Sequence, residues 1–107
     1  MKYLELCNFV KKNQLGKYIS LLKKYTMYDK EYSLFYLEKN KILWRIKNGF
    51  AYKYIVFVNK DLEYGKRSNI KVFKSIDEAS DYLWNIFIEY AQINNNVDLL
   101  TIINQKN

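Results

Sequence analysis

The dipeptide Asn48-Gly49 separates two segments, 41–47 and 50–58, in which β-branched and aromatic residues recur with the alternation of a strand. Asn-Gly is the strongest short signal for a β-hairpin, because both central residues of a type I′ turn need positive φ. The sequence therefore predicts an antiparallel hairpin at the centre of the chain. A two-residue loop at Asn48-Gly49 would pair residue 47 with 50, 45 with 52, 44 with 53 and 43 with 54.

A second turn is predicted at Lys39-Asn40, because residues 32–38 alternate in the same way as the segment after them. This turn would pair residue 38 with 41, 36 with 43 and 35 with 44. Beyond a polar loop, the apolar residues from Ile70 to Phe73 predict a short fourth strand. Together these segments predict a three- to four-stranded antiparallel meander.

Helical spacing marks the N-terminal part of the chain. Residues 3–26 carry two apolar stripes, which are out of phase across residues 11–14. We therefore expect an N-terminal helix pair or one bent helix. The first stripe contains Leu6, Phe9 and Val10, and the second contains Leu15, Tyr18, Ile19, Leu22 and Tyr25.

A long C-terminal helix is predicted from Ser75 to about residue 92, because Ser75 and Glu78 have the spacing of a capping box. Its expected inward residues are Ile76, Ala79, Leu83, Ile86, Phe87 and Tyr90. The asparagines at 94–96 should end it, and we interpret the apolar residues 97–103 as a further short helix. Residues 1–107 thus predict a single α+β domain, with the long helix packed on one face of the sheet.

The residue types argue against catalysis. The chain has no histidine, so the commonest general base and the commonest metal ligand are missing. Cys7 is the only cysteine, which excludes an internal disulfide and a thiolate metal cluster, and its apolar neighbours favour a buried thiol. We expect a protein that is not an enzyme and has no metal or other cofactor. No signal peptide or membrane-spanning run is present, so we also expect a cytoplasmic location without a membrane partner.

Charge is distributed unevenly along the chain. The net charge is +7, and residues 1–74 carry 17 Lys or Arg against 6 Asp or Glu, whereas residues 75–107 carry 1 against 5. An AT-rich genome also enriches lysine, asparagine, isoleucine and tyrosine without selection for binding. If the charge is functional, the N-terminal two-thirds of the chain should face an acidic partner.

The predicted register divides the sheet into two faces. The expected core face carries Phe35, Leu37, Ile42, Trp44, Ile46, Ala51, Ile55 and Phe57, with Lys53 as an exception. The other face is aromatic and cationic, and it pairs Arg45 with Tyr52 and Lys47 with Phe50. Such pairs stabilise a sheet, and an exposed face of this kind also suits partner recognition. The candidate binding residues are Tyr32, Tyr36, Lys41, Arg45, Lys47, Phe50, Tyr52 and Tyr54.

Residues 49–52 match four consecutive positions of the RNA-recognition signature, in which alternate aromatic residues stack on bases. Asn48, Lys53 and Ile55 depart from that signature. The predicted strand order also departs from it, because a tight turn joins strands that the RNA-recognition fold separates with a helix. Nucleic-acid binding by another arrangement of the aromatic and cationic face stays open as an alternative.

The segment from "YIVFVNKDLEYG" to "FKSIDEASDYLWNIFIEYA" resembles small immunity proteins of bacterial polymorphic toxin systems. The matching positions are Asp61, Gly65, Phe73, Ser75, Glu78 and Ala79, within residues 54–92. The resemblance implies a cytoplasmic antidote that inhibits one toxin domain by stoichiometric binding. The basic charge of this chain departs from the acidic balance expected of inhibitors that mimic nucleic acid. It suits a toxin with an acidic rim around its active site.

Overall fold

The computed structural model describes residues 1–22, 33–46, 49–58 and 68–105, with the backbone alone at 40–46, 49–52 and 68–69. In chain order the elements are α1 (Tyr3–Lys12), β1 (Ile19–Ser20), β2 (Phe35–Ile46), β3 (Gly49–Val58), β4 (Ser68–Phe73), α2 (Ile76–Ile93) and α3 (Val97–Asn104). Helix α2 packs against strands β2, β3 and β4 and against both other helices. The α+β class is confirmed, with the long helix on one face of the sheet.

Helix α2 begins and ends where its sequence predicts. The Ser75 hydroxyl accepts hydrogen bonds from the backbone N–H groups of Asp77 and Glu78, at 3.2 and 3.4 Å. These bonds satisfy two N–H groups that have no partner within the helix. After Ile93 the chain turns, and Asn95 adopts a φ of 49°. Asn96 then caps α3, because its side-chain oxygen accepts from the N–H of Leu99 at 3.2 Å.

The sheet has the strand order β1-β2-β3-β4 within the described residues. Strand β1 runs parallel to β2, with Ile19 beside Phe35, whereas the other neighbouring pairs are antiparallel. The prediction of a purely antiparallel meander is therefore wrong, and the sheet is mixed. The strand predicted over Ile70 to Phe73 is confirmed as β4.

The predicted second helix over residues 15–22 is also wrong. Residues 13–18 form turns, and Ile19 then enters the sheet, where the Phe35 N–H donates to the Tyr18 carbonyl at 2.7 Å. Ile19 and Leu21 are buried, which is the two-residue period of a strand. Tertiary pairing with β2 has overridden a helical pattern that was ambiguous over so short a stretch. The continuation of that pattern to residue 26 lies outside the described residues.

The turn predicted at Lys39-Asn40 does not form. Lys39 lies opposite Tyr54 and Asn40 opposite Lys53, within one uninterrupted strand of 12 residues. Lysine does not readily adopt the positive φ that a two-residue hairpin turn requires, so the chain continues extended. At the other end of β2, Ile46 lies opposite Gly49, and the two residues between them, 47–48, lie outside the described part. The hairpin is confirmed, and its predicted register is wrong.

This change of register reverses the predicted faces of β3. Leu37 lies opposite Val56, and the helix-side core contains Phe35, Leu37 and Val56, with Tyr54 packed against it. Ile55, predicted to lie in the core, alternates with these residues and belongs to the face turned away from the helices. Phe57 lies on that outer face as well. It is buried, but it is not part of the helix-side cluster.

The core itself forms between α1, α2, α3 and one face of the sheet. Phe87 is fully buried at its centre, with ring centroids 6.1 Å from Phe35 and 6.0 Å from Trp84. Phe9 meets Trp84 edge-on at 4.9 Å, which joins α1 to α2. All six residues predicted to point inward from α2 are buried or pack against this core, and Cys7 is buried as expected.

Candidate binding site on a projecting hairpin arm

The central hairpin is longer than the strands on either side of it. Strand β1 pairs with β2 only at Phe35 and Tyr36, and β4 pairs with β3 only between Tyr54 and Val58. Residues 39–46 of β2 therefore extend past β1, and residues 49–53 of β3 extend past β4. We call this part of the hairpin the arm, and we call the remainder of the described domain the body.

The molecule is elongated. Its principal extents are 50, 32 and 26 Å, and its radius of gyration is 14.6 Å. A compact domain of 107 residues is expected to have a radius of gyration of about 13 Å. Seven residue steps separate positions 39 and 46, so the arm is about 24 Å long at the usual rise per residue of a strand. This length is sufficient to reach into a concave partner surface.

The arm is also the part of the hairpin with the strongest charge. Between residues 39 and 53 there are five cationic residues and no acidic residue. Aromatic residues lie among them at positions 44, 50 and 52. The cationic residues are Lys39, Lys41, Arg45, Lys47 and Lys53. A projecting segment with a single sign of charge attracts an acidic partner before contact is made.

Backbone pairing brings several of the predicted binding residues together. Lys41 lies opposite Tyr52, and Lys39 lies opposite Tyr54. In the body, Leu37 and Val56 form the neighbouring pair on the same face. The pairs Lys39–Tyr54 and Lys41–Tyr52 follow it at distances of two and four residues along each strand. The predicted pairing of Arg45 with Tyr52 is therefore wrong, whereas the predicted pairing of Lys47 with Phe50 involves Lys47, which lies outside the described residues.

The remaining predicted residues are dispersed. Arg45 and Phe50 lie in an irregular stretch between the pairs Ile42–Ala51 and Ile46–Gly49. Tyr36 lies on the opposite face from Tyr54, where its ring stacks on Phe57 at 4.9 Å with an interplanar angle of 4°. Tyr32 and Lys47 fall outside the described residues. The arm thus contains four of the eight predicted residues, Tyr54 lies at its base, and Tyr36 belongs to a separate surface of the body.

The outer face of the body exposes aliphatic residues that sequence analysis did not select. Ile70 is 56% exposed and Val72 is 53% exposed, on strand β4. Val72 lies opposite Ile55, which is half-buried. Lys53 was the sequence signal that could have revealed this outer face, because the predicted register placed its side chain in the core. A lysine among core residues indicated that the inside and outside faces of β3 were reversed.

Metal-binding groups and membrane-spanning helices are two further features that would indicate a function. No group of three or more histidine, cysteine, aspartate or glutamate side chains there is placed to hold a metal ion. None of the described helices is long and apolar enough to span a bilayer. Comparison of the chain with protein-family models, with curated proteins and with solved structures finds no significant match. The arm and the outer face of β4 are therefore interpreted from their own chemistry.

Proposed function

We propose that this chain is a non-enzymatic binding protein that inhibits an acidic partner protein by stoichiometric association, in the manner of an immunity protein. The main support for the proposal is the shape and composition of the arm. It combines a projecting shape, four cationic residues and aromatic residues in one segment. Arginine, tyrosine and tryptophan are the residue types that most often anchor protein interfaces, and all three occur in this segment.

Two further features support a protein partner. Strand β3, strand β4 and a Ser75-capped helix follow one another over residues 54–92, which is the order of elements on which the resemblance to immunity proteins depends. In addition, the exposed aliphatic side chains of Ile70 and Val72 suit a protein surface, because they offer nothing to a phosphate backbone. The proposed partner is a toxin domain with an acidic surface, and the proposed location is the cytoplasm.

Binding measurements on the protein encoded by the neighbouring gene test this proposal. We expect a one-to-one complex by isothermal titration calorimetry, and protection of growing cells when the two proteins are co-expressed. The double variant Lys41→Gln, Arg45→Gln should weaken the complex more than tenfold, because central interface residues typically cost 2 kcal/mol or more.

The control for this variant is Lys11→Gln, Lys12→Gln, which removes the same charge from exposed positions of α1. Its affinity should stay within about threefold of the wild type, since peripheral charges act mainly on the association rate. Equal weakening in both variants would show that only net charge matters and would overturn the assignment to the arm. Absence of a complex with the neighbouring gene product, together with absence of protection, would overturn the immunity role.

Nucleic-acid binding is a second candidate, and the shape of the arm favours it. A two-stranded β-ribbon fits the major groove of duplex DNA, and the arm is such a ribbon with cationic residues on both strands. An electrophoretic mobility shift on single-stranded and duplex nucleic acid at low salt tests this candidate. A shift at micromolar protein that disappears with added salt would support it, and no shift would exclude it.

A further inference from the structure

Strand β4 forms the edge of the described sheet. It pairs with β3 on one side, through Phe73 with Tyr54 and Lys71 with Val56, and it is the last strand in the sheet order. An edge strand presents backbone N–H and C=O groups that a further extended segment can pair with. The six residues of β4 contain no proline, so its geometry is compatible with such pairing.

The usual protection of an edge is weak at β4. Lysine often protects an edge by projecting its charge across it. Here the Lys71 ammonium instead lies over the ring of Tyr82 in α2, 5.1 Å from its centroid, and Tyr82 also contacts Phe73 at 5.3 Å. The lysine is therefore held against the helix side. On the other side of the strand, Ile70 and Val72 are each more than half exposed.

The charge around β4 decides between the possible occupants. Residues 68–74, all of which the structure describes, carry two lysine residues and no acidic residue. Edge-to-edge pairing of two copies would bring these like charges together, which costs stability at closely spaced positions. An extended segment with acidic residues would complement them. The cationic residues in question are Lys71 and Lys74.

We propose that the edge of β4 binds an extended acidic segment of the partner protein as a fifth strand of the described sheet. Aliphatic residues of that segment would cover Ile70 and Val72, and its acidic residues, which alternate with them, would lie near Lys71, with Lys74 adding positive charge just beyond the end of β4. The inference rests on the proposed function for the acidic character of the partner. The arm and the β4 edge would then be two separate contacts with one partner.

A short peptide of alternating valine and glutamate tests the edge without the partner. We expect amide chemical-shift changes by NMR at residues 68–73 and at Tyr54–Val58, and none in the arm. The variant Ile70→Thr, Val72→Thr keeps β-branched side chains but removes apolar contact, and it should weaken peptide binding roughly tenfold. The matched control Leu4→Thr, Ile93→Thr changes two aliphatic residues that are each 75% exposed on helices, and it should bind as the wild type does.

A charge exchange distinguishes specific pairing from general attraction. The variant Lys71→Glu, Lys74→Glu should prefer a peptide of alternating valine and lysine over the glutamate peptide. Shift changes centred on the arm, equal binding by the threonine variant, or no binding at all would each overturn the proposal. Concentration-dependent dimerisation with amide protection in β4 would assign the edge to a second copy. Loss of peptide binding leaves the arm's complex with the neighbouring gene product measurable, so the two proposals fail separately.

Discussion

The body and the arm are built from the same two strands, yet different forces act on them. In the body, β2 and β3 have strands on both sides and helices over one face, and Phe35, Leu37 and Val56 are almost completely buried. In the arm, the same strands continue without β1 or β4 beside them. A two-stranded ribbon alone is marginally stable in water. The body therefore supplies the stability, and the arm depends on it.

Along one face of β2, the change from body to arm is a change of residue type. Phe35 and Leu37 are followed at the same alternation by Lys39 and Lys41. The apolar residues end where the described contacts with the helix-side core end, since Lys39 is exposed. Burial accounts for the residue types in the first half of the strand, and we attribute those in the second half to the proposed partner contact. Four predictions test this comparison, from the largest effect to the smallest.

Removal of a central ring should damage the body most. Phe87→Ala leaves a cavity among Phe35, Tyr18 and Trp84, and should lower the free energy of unfolding by about 3 to 5 kcal/mol. Urea denaturation monitored by tryptophan fluorescence measures the loss. The control Leu4→Ala, at a position 75% exposed, should change stability by less than about 0.5 kcal/mol. A loss below 1 kcal/mol for Phe87→Ala would contradict the described core.

Hydrogen exchange should separate the two regions within single strands. Amides of residues 54–58 lie between β2 and β4, and those of 49–53 lie in the arm. We expect the opening free energy to be lower in the arm by about 2 kcal/mol or more, because neither β1 nor β4 pairs with its strands there. Native-state exchange followed by NMR measures both sets in one sample. Equal protection in both segments would show that the arm is part of the cooperative core.

Removal of the cap of α2 should have a smaller effect on the body. Ser75→Ala removes the acceptor for the N–H groups of Asp77 and Glu78 and should cost about 1 kcal/mol. Thermal unfolding by circular dichroism measures this as a lowered Tm. Ser75→Asp retains an acceptor at the cap and serves as the control, with stability close to the wild type. Equal loss in both variants would refute the capping role.

Truncation of the arm pair should affect stability least. Lys41→Ala, Tyr52→Ala removes two facing residues of the arm and should change the free energy of unfolding by no more than about 1 kcal/mol, the range of one cross-strand pair. Partner binding should fall more than tenfold in the same variant. Denaturation and calorimetry on one preparation give both values. A stability loss comparable with that of Phe87→Ala would show that the arm is structural.

Local signals in the sequence were sufficient to predict α2 and α3, although not the end of the N-terminal helix. Ser75, the asparagines at 94–96 and the apolar spacing of α2 each depend on contacts within a few residues. The predicted faces of the sheet depended on one turn, the one expected at Lys39-Asn40. Because a two-residue turn at Lys39-Asn40 changes which alternate residues share a face, its incorrect prediction exchanged inside and outside along all of β3. Tyr36 and Tyr54 were assigned to one face for this reason.

The composition of the candidate site was predictable from the sequence, whereas its projection from the body was not. The charge and the aromatic residues of the arm are visible in the sequence, and Lys41 with Tyr52 lie together as an aromatic and cationic pair. The projection of the arm was not predictable, because it depends on where β1 and β4 stop. Strand β1 has only two residues and joins β2 from a segment with helical spacing. No local pattern indicates where such a long-range pairing begins or ends.

The division between body and arm has a consequence for how a family of such chains would diverge. Among the side chains that the structure describes, the core contacts of the hairpin end at Leu37 and Tyr54. Substitutions between residues 39 and 53 are therefore expected to carry little folding cost, while substitutions in the body carry a large one. Under the proposed function, such a chain can follow changes in its partner by mutating one projecting segment. Related chains would then conserve the body and vary the residues of the arm that determine which partner is bound.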